Sequence, residues 1–130
     1  DGGWDLFALE INLRQGATTH PFNTLKFITD GHYDAETGEF RTPQGETRSH
    51  SCHDYLADPG YRGILPFDLL DQMVLHRTHF QAVQTGVVYH LLGCLSQFGK
   101  LGCTAIGRDV SDARARYRRA VELLDALRVE

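Results

Sequence analysis

The chain has 130 residues, 42% of them hydrophobic and 23% charged, with a formal net charge of -4, which bounds it to one domain with a modest core and gives no sign of disorder. No apolar run approaches the length that spans a bilayer, and the first residues lack the basic and apolar regions of a signal peptide, so membrane and secretory readings find no support. A mildly acidic chain whose arginines gather on one terminal helix is a poor nucleic-acid binder, and three widely spaced cysteines suit a reducing, cytoplasmic compartment.

The first predicted element is a strand from about Asp5 to Leu13. Side chains alternate along a strand, so Glu10, Asn12 and Arg14 share one face with Trp4, Leu6 and Ala8. Phe7, Leu9, Ile11 and Leu13 make an apolar opposite face. A carboxylate and an amide oxygen two residues apart are hard oxygen ligands, separated by roughly 6.6 Å of backbone, which suits magnesium bridging the phosphates of a nucleotide. Arg14 is positioned to take a phosphate or carboxylate oxygen bidentately. A solvated sheet face carrying polar residues is the competing reading for Glu10 and Asn12, and a strand end in solvent for Arg14.

Gly16 permits a sharp exit from that strand, and Thr18, Thr19 or His20 would cap a helix with Pro21 at its first position. A helix start attracts anions. Cation ligands, a fixed positive charge and backbone N-H groups thus fall within about one strand and one turn, an assembly suited to phosphoryl transfer. His20 serves equally as a cap or as a substrate contact.

The helix should run to Thr29 and stop near Asp30-Gly31. Thr42-Pro43-Gln44-Gly45-Glu46 reads as a hairpin turn, and His50 to Gly63 as a turn-rich connection. Pro66 to about His76 is amphipathic, with Leu69, Leu70, Met73 and Val74 at helical spacing. Gly86 to Leu92 and Leu101 to Ile106 read as short strands buried on both faces or crossing close to another backbone. Ser111 would cap a final helix from Asp112 to about Arg128, with Ala113, Tyr117, Ala120, Val121, Leu124 and Leu127 along one stripe and an Arg118–Glu122 pair outside. The fold class expected is α+β, a small mixed sheet packed with about three helices.

His50, Cys52 and His53 form one histidine-cysteine group, and His76 and His79 another. Zinc sites combine two close pairs of ligands, and these residues read instead as polar loop and helix positions. Cys94 and Cys103 sit in apolar surroundings as small core residues. His90 is either a core histidine or a residue facing a cleft.

The strand with Glu10, Asn12 and Arg14, followed by Gly16 and Thr18-Thr19-His20-Pro21, resembles the second metal-binding motif of ATP-grasp carboxylate-amine ligases, most closely their pheganomycin-type peptide-ligase branch. Gly86 through Gly93 and Phe98 through Gly107 are similar to the C-terminal region of the same enzymes. The resemblance implies that Glu10 and Asn12 bind the magnesium of ATP, and that Arg14 acts catalytically on the phosphoryl group or the acyl phosphate. It further implies that Gly16, Thr18, Thr19 and His20 border the substrates, a small carboxylate and an amine such as an amino acid or peptide. Ala17 departs from the pattern, where a second glycine is expected. No glycine-containing loop or phosphate-binding lysine precedes the strand. Residues 1–130 are therefore expected to form a single C-terminal domain, inactive alone and partnered by upstream ATP-grasp lobes of the same protein. A non-catalytic binding or homo-oligomerisation module with ligase topology is the alternative.

Overall fold

The computed structural model describes Phe7, Ile11 and residues 14–129. The elements are helix α1 (Thr19–Thr29), strands β1 (His32–Asp34), β2 (Glu39–Arg41) and β3 (Thr47–Ala57), helix α2 (Pro66–Leu75), strand β4 (Gly86–His90), the short helix α3 (Leu95–Phe98), strand β5 (Lys100–Gly107) and helix α4 (Val110–Asp125). The strands form one sheet in the order β1-β2-β3-β5-β4. Its ladders are antiparallel, and a parallel bridge joins His79 to Val87 outside them. The fold is α+β. Among the described residues, no helix is long and apolar enough to cross a membrane.

β5 lies inside the sheet between β3 and β4, and both of its faces are covered: every residue from Leu101 to Gly107 is buried. Alternation assigns the faces. Leu101, Cys103 and Ala105 join Val87 and Tyr89 of β4, Leu69 and Met73 of α2, and Ala120 and Leu124 of α4 in the main core. Ile106, of opposite parity, packs with Leu25 of α1 and Phe40 of β2. Helix α1 thus lies across one face of the sheet while α2 and α4 cover the other. Tyr89 ties α4 down by donating its hydroxyl to the Ala120 carbonyl at 2.9 Å. Burial pushes the Tyr89 phenol far above its ordinary value.

Several local expectations hold. Asp30 ends α1 in the left-handed conformation. The Thr42–Glu46 turn closes through Thr42 N-H to the Glu46 carbonyl at 2.9 Å. Helix α2 and strands β4 and β5 fall where apolar spacing placed them. At Gly86 a Cβ would overlap the His79–Phe80 backbone, which is the close approach expected there.

Four expectations are corrected. The stretch from His50 to Gly63 is not a turn-rich connection throughout. Thr47–Ala57 is the long strand β3, which pairs with both β2 and β5, and only Pro59–Tyr61 makes a tight 3-10 turn, capped by Asp58. His50, Cys52 and His53 are therefore strand residues rather than loop residues. Helix α1 begins at Thr19, two residues before Pro21; this costs nothing, because the first N-H groups of a helix have no intrahelical acceptor for proline to forfeit. Helix α4 is capped by Asp109, whose carboxylate accepts from Asp112 N-H at 2.8 Å, and not by Ser111. Glu122 pairs with Arg119 at 3.2 Å rather than with Arg118.

The strand expected from Asp5 to Leu13 lies largely outside the described residues. Phe7 and Ile11, expected on a buried face, are 78% and 77% exposed.

Candidate functional site

The turn into α1 is closed by two reciprocal bonds: Thr19 N-H donates to the Gly16 carbonyl at 3.0 Å, and Gly16 N-H donates to Thr19 Oγ1 at 3.2 Å. Thr19 thus fastens the turn that precedes the helix, and its side chain does not cap the helix itself. Thr18 occupies the cap position without a side-chain cap bond, and no acidic residue stands in the first turn, so an approaching anion meets the helix start without repulsion from α1 itself. Arg14 is exposed and donates from Nη1 to the Gln15 carbonyl at 3.3 Å. Glu10 and Asn12 lie outside the described residues.

His20 does not cap the helix. Its ring meets that of His90 edge to face, with centroids 4.3 Å apart at 64°. His90 ends β4 opposite Gly102, and its imidazole lies flat against that glycine, where a Cβ would overlap the ring. Gly102 is thus required for the close approach. Among the described residues, Nδ1 of His90 is buried without a hydrogen-bond partner. Burial first, then the neighbouring His20, hold the imidazole below its ordinary value, while Asp54 acts in the opposite sense.

Beside His90 lies a cavity of about 150 Å³, walled by Ala17, Thr18 and Pro21 from the α1 entry and by Cys52, His53, Asp54 and His90 from the sheet; His20 touches the His90 ring but is not part of this wall. The β3 side follows from a bulge. Register shifts between His53 and Leu56, so His50, Cys52 and Asp54 keep one parity while Leu56 is turned to the opposite face, where it packs on the main core. Without the extra residue, Leu56 would face α1. Partial burial and the Asp54 carboxylate both push the Cys52 thiol up, which disfavours a nucleophilic thiolate. Cys103 is buried, its thiol raised to about 12 by desolvation.

The structure therefore packs His20 against His90 and sets Thr18, Cys52, His53 and Asp54 with His90 around one small cavity. Cys52 and His53 stand out in the sequence but read as polar loop positions, and Asp54 does not stand out, because Thr47–Asp54 shows no apolar alternation. Among the described residues, no group of three His, Cys, Asp or Glu side chains is placed to hold a metal ion.

No curated protein and no solved structure matches the chain. Residues 79–120, about a third of the chain, match the family model described as PGM1 C-terminal domain. That segment runs from the bridge at His79 through β4 and β5 into α4, and so contains His90 and Gly102.

Proposed function

We propose that this chain is the C-terminal part of an ATP-dependent, magnesium-requiring carboxylate-amine ligase that forms an amide or peptide bond through an acyl phosphate. The supporting observation is the meeting of His20 with His90. It joins the end of the Glu10–Pro21 motif to the segment matched by the PGM1 C-terminal domain, two stretches that resemble the same ligases and are far apart in sequence.

In this reading Glu10 and Asn12 hold magnesium, which when bound with ATP neutralises phosphate charge. Arg14 steadies the transferred phosphoryl group by bidentate donation. The turn from Gly16 through Thr18, Thr19 and His20 borders the substrates and directs the helix start at an oxyanion. His90, whose imidazole burial holds below its ordinary value, lies on the wall of the cavity that Thr18 also lines. Upstream ATP-grasp lobes of the same protein complete the nucleotide site.

The test is Glu10→Gln in the protein carrying all its lobes. Ligation should be lost, with several kcal/mol of transition-state stabilisation removed, while the unfolding curve stays that of the parent. Full activity in this variant would sink the metal assignment.

The alternative, a non-catalytic binding or oligomerisation module, is favoured by one feature. Phe67, Leu70 and Val74 of α2 share a helical face and are exposed, opposite the buried Leu69 and Met73.

A further inference from the structure

A second cavity, of about 660 Å³, opens at the other end of the sheet. Strand β5 advances about 17 Å between Gly102, beside His90, and Gly107, beside this cavity. Gln44 and Glu46 of the β2–β3 turn, Arg48 of β3, Gln84, Arg108 and Arg116 contribute to its walls. Three guanidinium groups face one carboxylate. The volume lies in the range of small-molecule sites, but the lining is far more cationic than usual.

Arg48 forms a fixed floor. Its side chain is only 4% exposed. It donates to the carbonyls of Thr47, Val83 and Gln84 at 2.8, 3.1 and 2.9 Å and to Glu46 Oε2 at 2.5 Å, so it joins the hairpin to the 82–85 turn and leaves its charge compensated.

Arg108 and Arg116 differ. Asp112 serves both: its Oδ2 accepts from Arg108 Nε at 3.0 Å and its Oδ1 from Arg116 Nε at 3.1 Å. Because the carboxylate engages each arginine through Nε alone, the terminal nitrogens of both guanidinium groups have no hydrogen-bond partner among the described residues. Two planar donor forks are thus oriented in advance and left unfilled. Planar forks of this kind match carboxylate and phosphate oxygens, and orientation before binding reduces the entropy lost on association.

The geometry points to an oxyanion site: Arg108 and Arg116 receive the carboxylate or phosphate group of a small molecule, over the floor made by Arg48 and the 82–85 turn. The site stands apart from the cavity beside His90 and does not depend on the ligase reading.

Calorimetric titration of the whole chain at low salt, with citrate and with pyrophosphate as probes, tests it. At least one probe should bind with single-site stoichiometry. Arg108→Gln and Arg116→Gln should each weaken that binding by about tenfold or more. Arg118→Gln, which removes the same charge from the exposed side of α4, should leave it within about twofold. Arg108 is 73% exposed, so its variant keeps the fold and decides the matter if Arg116→Gln does not. Binding of citrate alone identifies a carboxylate ligand, of pyrophosphate alone a phosphoryl ligand, and of both an oxyanion irrespective of its bearer. No binding of either at about 10 mM, or equal weakening by Arg118→Gln, overturns the site.

Discussion

Gly102 shows how much a single missing side chain decides. The imidazole of His90 occupies the space a Cβ would take, so Gly102→Ala must displace the ring and with it the contact to His20. A loss of about 1–3 kcal/mol is expected from overpacking, read as a lower midpoint in urea; an unchanged midpoint would show that the ring is free to move. The protonation of His90 carries a second expectation. Its folded state is held below the ordinary value of 6.5, so the unfolded chain takes up the proton first. Its contribution to stability is then complete above that value and declines as the pH falls below it. His50, lowered by burial, acts in the same direction. His90→Asn should make the acid limb of the stability profile shallower, and a limb of equal slope would exclude His90 as its source. Both histidines were nameable from the sequence, but their contact was not, because it depends on β4 and α1 meeting on one face of a sheet whose longest strand was unreadable.

At the scale of elements, what could be read from sequence follows the physics of each segment. Helix α2 and strands β4 and β5 announce themselves through apolar spacing, and the Thr42–Glu46 turn through proline and glycine. Strand β3 does not, because Thr47 to Asp54 is polar on both parities and gains its structure from pairing with β2 and β5 rather than from its own pattern. Sequence placed the cap of α4 at Ser111, and geometry selects Asp109 two residues earlier. Replacing it, Asp109→Ala, should cost about 1 kcal/mol by the loss of that bond, whereas Ser111→Ala should stay within about 0.5 kcal/mol, as expected for an exposed site. Thermal unfolding of the two variants decides between these caps; the reverse order would restore Ser111.

For the whole molecule, the sheet's two faces divide the labour. One holds the main core beneath α2 and α4, and the other carries α1, the His20–His90 contact and the bulged edge of β3. The apolar stripe of α4 is consumed within the chain, with Ala113, Ala120, Leu123 and Leu124 buried, so it is not available to a second copy. The exposed face of α2 remains. The assembly reading therefore predicts that light scattering shows a concentration-dependent rise in mass and that Phe67→Ser abolishes it; a constant monomer mass would remove that reading.

Strand β3 finds its longest partner only in β5, on the far side of α2, β4 and α3. During synthesis it leaves the ribosome well before that partner exists. A nascent chain halted before Lys100 carries a strand whose matching edge has not yet been made, and such edges recruit other chains. The interval between β3 and β5 is thus the stretch of translation in which most of β3 waits for the strand that pairs with it.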